Sequence, residues 1–173
     1  MVQHQVSLRP FQPDDAERIT LLLNDKAVIK HLRDVIPNPY SIDDANKFID
    51  LTSKYSPLNH FAIIYDGDLV GAIGIHPETD VYRYSAEIGY WIGKAYWNKG
   101  IGSKAVSQIV SYGLNTFTLN RIQARVFAGN WASKKVLERN GFIEEALLKD
   151  HVYKNGRFVD EYMMVYFNSN VDL

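Results

Sequence analysis

A chain of 173 residues with 46% apolar and 13% aromatic side chains has the material for one packed domain, and at that size roughly 70% of the unfolded surface is buried without cross-links. Nineteen basic and 20 acidic residues are interspersed and leave a net charge of −1, which argues against nucleic acid as a partner, because phosphate neutralisation dominates that affinity. Cysteine is absent, so disulfides, thiolate ligands and thiol nucleophiles are excluded.

The first six residues, Met1 to Val6, show no basic segment leading into an apolar run, and no apolar stretch approaches the ~18 residues of a membrane span. A cytoplasmic protein with no membrane partner is expected.

Val6-Ser7-Leu8-Arg9 alternates apolar and polar residues and reads as an opening strand. Pro13-Asp14-Asp15 signals a helix start, since proline fits a first turn and acids suit its positive end. Ala16, Ile19, Leu22 and Leu23 follow at helical spacing. Pro37-Asn38-Pro39 cannot be helical and predicts a loop. A second helix begins at Ser41, with Ala45, Phe48, Ile49 and Leu51 assigned to its apolar side.

Residues 61–65 and 69–75 are β-rich runs around Asp66-Gly67-Asp68, a hairpin signal. Residues 86–92 form a further strand with an internal glycine. Residues 102–114 carry Ala105, Val106, Ile109, Val110 and Leu114 at helical spacing, and residues 121–126 alternate as a strand. A helix over residues 130–140 closes on Gly141. Residues 146–153 and 158–166 flank Asn155-Gly156, a favoured two-residue hairpin turn. The predicted order is β-α-α-β-β-β-α-β-α-β-β, a mixed α/β domain spanning residues 1–173.

Between the strand ending at Ile92 and the next helix lies Asn98-Lys99-Gly100-Ile101-Gly102-Ser103. Glycines there let backbone N–H groups approach an anion, and a helix start adds its dipole. Lys99 and Lys104 can add charge. The residues alone leave three readings: a plain turn, a phosphate cradle, or a dinucleotide fingerprint, since Gly100, Gly102 and Ala105 fit G-x-G-x-x-A. The fingerprint needs an acid about twenty positions on for the ribose. There the chain reads Leu119-Asn120-Arg121, which leaves only an NADP variant using Arg121 or Arg125. The Walker spacing is not met.

Three segments then carry a resemblance. They are Glu87-Ile88-Gly89-Tyr90-Trp91-Ile92 running into Tyr96-Trp97-Asn98-Lys99-Gly100-Ile101-Gly102, the helix from Asn130 and Ser133 to Gly141-Phe142, and the hairpin Gly156-Arg157-Phe158-Val159-Asp160. With Leu8-Arg9-Pro10, they resemble the GNAT acetyltransferase superfamily, and most of all its branch of ribosomal-protein N-terminal alanine acetyltransferases. The resemblance implies a mixed α/β GNAT fold: a mostly antiparallel sheet of about seven strands, about four flanking helices, and strands near 86–92 and 121–126 splayed apart. It implies acetyl-coenzyme A as co-substrate, no metal, an amine acceptor, and a monomer or homodimer. The acceptor it favours is a protein N-terminus; a polyamine, amino acid or antibiotic is the alternative. From other classes, a non-catalytic acetyl-coenzyme A sensor and an NADP oxidoreductase stay open.

The same resemblance assigns the cofactor to Tyr90, Trp91 and Ile92, through their backbone, and to Trp97, Asn98, Lys99, Gly100, Ile101, Gly102 and Ser103, with Asn130 and Ser133. Trp97 stands where the superfamily carries Arg or Gln, so the phosphate contact is expected from backbone amides with Lys99 or Lys104. Ser133, at a helix start that favours developing negative charge, is expected to protonate the departing thiolate; capping by Asn130 explains the same residues without catalysis. Alternation puts Ser85, Glu87, Gly89 and Trp91 on one sheet face, and Glu87 is the leading general base, or else the ion-pair partner of Arg121 or Arg125. Asp160, Glu161, Tyr90 and Tyr153 are reserves. Residues 24–58 and the last hairpin are expected to bind the acceptor. His76, Glu78 and Asp80 read as a solvated turn, not a metal site.

Overall fold

The computed structural model describes residues 5–169; Met1–His4, within the segment read above for a leader, lie outside the described residues. Among these residues seven strands form one sheet: β1 (Val6–Arg9), β2 (His60–Tyr65), β3 (Asp68–Pro77), β4 (Ser85–Ile92), β5 (Arg121–Phe127), β6 (Ile143–Lys154) and β7 (Arg157–Phe167). Their order is β1-β2-β3-β4-β5-β7-β6. The β1–β2, β2–β3, β5–β7 and β6–β7 pairs are antiparallel, and β4–β5 is parallel. Five helices accompany them: α1 (Ala16–Leu23), α2 (Lys26–Ile29), α3 (Ile42–Ser53), α4 (Ile101–Thr116) and α5 (Trp131–Glu138). The GNAT-type sheet is as expected; the single-turn α2 is additional to the predicted helices.

The fold divides into two compact units, one running up to Gly74 together with Tyr90–Gln108, the other comprising Ile75–Gly89 and the chain from Ile109 onward. In the first, Ile19 and Leu23 of α1 and Ala45 and Ile49 of α3 pack with Ala62, Ile64 and Leu69. Each fully buried Ile or Leu contributes about 1.5–3 kcal/mol. Ser41 and Asp44 form a capping box that starts α3. Leu51 is 56% exposed, a correction to its assigned place in the core. Ala45, Ile49 and Thr52 define the buried stripe, and at 100° per residue Leu51 points to the opposite side.

Pro13–Asp15 forms a 3-10 turn that precedes α1. Asp15 does more than complement a dipole: its carboxylate accepts two hydrogen bonds from Arg9, at 2.7 and 2.8 Å, and one from the Gln12 N–H at 2.7 Å. Burial pushes the Asp15 carboxyl up, but the Arg9 hydrogen bonds, the Gln12 N–H and the Arg9 charge outweigh it and hold it below the usual range.

In the second unit, Ile122, Ala124 and Val126 of β5 are buried, while Arg121, Gln123 and Arg125 occupy the other face. α5 ends where the Phe142 N–H bonds the Leu137 carbonyl and the Gly141 N–H bonds the Glu138 carbonyl, with Gly141 at φ +82°. That is the paired closure that requires a left-handed residue, hence glycine. Asn155 and Gly156 both take positive φ, as the predicted turn demands.

Candidate active site

In the first unit β4 runs through Tyr90, Trp91 and Ile92 into a 3-10 turn (Lys94–Tyr96), an exposed loop over residues 97–100, and α4. The loop changes direction at Asn98 (φ +60°) and Gly100 (φ +76°). No heavy atom lies within 4 Å of where a Gly100 side chain would start, so glycine serves the backbone conformation there, not packing. The Gly100 carbonyl accepts the Lys104 N–H at 3.2 Å, which makes Ile101 and Gly102 the first helical residues. Amides of a first turn have no acceptor within their helix. Ile101 is 1% exposed, so only its backbone can serve an anion. This cradle suits a pyrophosphate: exposed approach, a turn open enough for an oxyanion, and a helix dipole behind it.

Trp97 folds back along its own segment. Its Nε1 donates to the Ile92 carbonyl at 2.7 Å, tying the loop to the end of β4. The bond acts as a strut, and it occupies one acceptor among the backbone groups predicted to receive the pantetheine arm. Lys99 Nζ lies 5.3 Å from the Tyr96 ring centroid and 6.0 Å from that of Tyr65, a cation–π setting. Arg18 supports the same ring by donating to Tyr96 Oη at 2.6 Å and to the Leu69 carbonyl at 3.0 Å. Trp91 packs against the first-unit core, so its indole is structural and only its backbone faces the assigned role. Gly71 makes room for that backbone, since any side chain at 71 would press into the Trp91 carbonyl oxygen.

In the second unit the parallel ladder of β4 and β5 covers three residue pairs, Ser85↔Arg121 to Glu87↔Gln123. Glu87 does not stand alone: its Oε2 accepts from Arg125 Nε at 3.2 Å, the ion-pair alternative raised from the sequence. Arg121 instead pairs with Glu145 at 2.8 Å. Gly89 is exposed with open space around it. Asn130 Oδ1 accepts the Ser133 N–H at 3.3 Å, so the predicted cap is present and sets Ser133 in the first turn of α5.

Arg125 also reaches Glu161, at 3.8 Å, and Glu161 Oε2 is 2.9 Å from His151 Nδ1. Glu161 was only a reserve and His151 was missed. Period-two patterning gives no signal for a residue aimed by a bulge, and β6 carries one here. The Glu78 carboxylate accepts from Gln123 Nε2 at 2.9 Å. Among the described residues no group of three or more His, Cys, Asp or Glu comes together to hold a metal ion.

A family model described as "Acetyltransferase (GNAT) domain" matches residues 5–143. This chain belongs to the GNAT acetyltransferase family. It is an N-acetyltransferase, and acetyl-coenzyme A is its acetyl donor. The match runs through both units. Two relatives from Bacillus subtilis (strain 168) agree. One, named "Putative ribosomal N-acetyltransferase YdaF", is 36% identical and aligns over 96% of this chain and 92% of its own. The other, "Uncharacterized N-acetyltransferase YoaA", is 42% identical over 86% of this chain and 85% of its own. A crystal structure of a GNAT-family acetyltransferase from Bacillus anthracis superposes with a TM-score of 0.79 at 26% identity, covering 94% of this chain and 95% of that one. Family membership disposes of the oxidoreductase alternative, for which the missing ribose acid was already a poor fit. No helix among the described residues is long and apolar enough to cross a membrane.

Proposed function

We propose that this N-acetyltransferase modifies the α-amine of a protein N-terminus, with a ribosomal protein as the acceptor class, in the cytoplasm. We propose further that residues 1–173 act as one acetyltransferase domain, as a monomer or homodimer. The observation that carries the acceptor is the near-full-length likeness to the relative named "Putative ribosomal N-acetyltransferase YdaF", 36% identical over 96% of this chain. With no cysteine in the sequence, no acetyl-thiol enzyme can form, and the amine attacks directly in a ternary complex.

Bound acetyl-coenzyme A supplies the activated thioester. The protein's own residues do the rest. The loop from Trp97 to Gly100 and the Ile101, Gly102 and Ser103 turn hold the pyrophosphate, with Lys99 adding charge. The backbone of Tyr90, Trp91 and Ile92 aligns the pantetheine arm. Ser133 Oγ delivers a proton to the departing sulfur, fixed by the Asn130 cap at a helix start that also favours negative charge. Glu87, in its pair with Arg125, orders the face that receives the amine.

Thiol release is measured with N-terminal peptides beginning in alanine, serine or methionine, and with spermidine and free amino acids. The reading expects kcat/KM at least about tenfold higher for the best peptide, about 1.4 kcal/mol of transition-state preference. A small amine preferred over every peptide would overturn the acceptor class and leave the acetyltransferase standing.

A further inference from the structure

β6 and β7 pair as Leu148↔Glu161 and next as Val152↔Val159, so three residues of β6 face the single residue Asp160. This bulge is clamped. Asp150 sits at φ +49°, its N–H donates to Asp160 Oδ1 at 2.9 Å, and Lys149 Nζ pairs with Asp160 Oδ2 at 2.9 Å. Those two partners hold the Asp160 carboxyl below its usual range, so the clamp is charged when the enzyme works near neutrality.

Strict alternation from Leu148 would point His151 away from Glu161. The bulge re-aims it, as bulges beside active sites do, and brings Nδ1 to 2.9 Å from Glu161 Oε2. Glu161 is buried, at 3% exposure, while the His151 side chain is 46% exposed. Register places Glu161 beside Phe127, on the face that also carries Arg125, and Gln123 on that face pairs with Glu87. The charged groups around the imidazole are therefore Glu161 and Asp160 from β7, Arg125 from β5 with Glu87 of β4 behind it, and Lys149 and Asp150 on its own strand.

A carboxylate only accepts hydrogen bonds, so Nδ1 carries the proton and Nε2 offers its lone pair. We propose that His151 is the proton acceptor for the incoming amine and that Glu161 is its positioning residue, a pairing assigned here by the β6 bulge. The inference rests on the reading of this face as the acceptor side. The balance is as follows. The ammonium gives one proton to Nε2, the freed nitrogen lone pair forms the C–N bond, and the C–S bond breaks. The second nitrogen proton ends on the thiolate sulfur, and the imidazolium later returns its proton to water. A base suits this task, because an α-amine with a pKa of about 8 is mostly protonated at neutral pH.

The test is the pH profile of kcat/KM for the full chain and its His151→Gln variant, with the best amine of the panel above. At pH 7 the variant should fall about 100-fold, a typical contribution of a positioned base, with the KM for acetyl-coenzyme A unchanged. The gap should close to under about tenfold near pH 9.5 for a peptide, whose α-amine then arrives neutral, and persist for spermidine, whose amines ionise near the lysine range of about 10. Glu161→Gln should show a smaller loss with the same pH dependence. A His151→Gln deficit that is absent, or constant with pH, overturns the assignment while the acetyltransferase reading stands. Wild-type protein that releases no thiol with any amine overturns both.

Discussion

Alanine at Gly71 should dislodge the end of β4. A methyl there would press into the Trp91 carbonyl oxygen and lie 3.1 Å from Ile92 Cα and 3.2 Å from the Trp91 carbonyl carbon. These are backbone atoms, and they are tied down: the Gly93 N–H bonds the Val70 carbonyl at 2.8 Å, and Trp97 holds the Ile92 carbonyl at 2.7 Å. Overpacking of this kind costs about 1–3 kcal/mol, and a strained strand hydrogen bond adds about 1 kcal/mol. Relief of glycine entropy in the unfolded chain returns at most about 1 kcal/mol. The net loss is about 2 kcal/mol, or roughly 4–8 °C in Tm for a chain of this length.

Two other glycines supply the contrast. Gly89 has open space, so Gly89→Ala should be neutral or stabilising by up to about 1 kcal/mol. Gly113→Ala meets the terminal methyl of Ile75, which can swing aside, and it gains about 1 kcal/mol of helix propensity. Thermal and urea unfolding of the three variants read the stability. The KM for acetyl-coenzyme A should rise in Gly71→Ala alone, because Tyr90–Ile92 is the segment displaced. A Gly71→Ala protein melting within about 1 °C of wild type, or a Gly89→Ala protein losing as much, refutes the reasoning.

Ser133→Ala should lower kcat about 10- to 100-fold with little change in acetyl-coenzyme A KM, while Asn130→Ala should cost about 1 kcal/mol of stability by removing the cap; undiminished kcat in Ser133→Ala withdraws the acid role. Trp97→Phe keeps the ring but loses the bond to Ile92, so the acetyl-coenzyme A KM should rise several-fold, with about 1 kcal/mol of stability lost and kcat held. Equal binding by isothermal titration would show that the strut does not shape the loop. For Asp15 the sign follows from its depressed native pKa: the stabilisation is present above the unfolded carboxyl value of about 4 and is lost as pH falls through the native value. Asp15→Asn should therefore destabilise the protein at pH 7 and melt with a shallower pH dependence below about pH 4; parallel curves for the two proteins would remove Arg9–Asp15 as the cause.

The family and the succession of elements along the chain were legible because they depend on local chemistry. Asn155-Gly156 can make its turn and Gly141 its helix closure with only neighbouring residues, and a run such as residues 121–126 shows its buried face by alternation alone. The loop before α4 was legible for the same reason, since two glycines before a helix advertise their backbone. What escaped depends on partners far away in sequence. Asp15 reads as a helix-starting acid until Arg9 is seen to hold it. Trp97 reads as a departure from a phosphate ligand until its indole is found on Ile92. Glu87 could have paired with either arginine of β5; the structure gives it Arg125 and sends Arg121 to Glu145 of β6, 24 residues along. His151 is the extreme case. Alternation gives it no tie to Glu161, and the contact occurs within the bulge that Asp160 clamps through Lys149 and Asp150, so the residue that changes the proposed chemistry most sits where the sheet departs from its period.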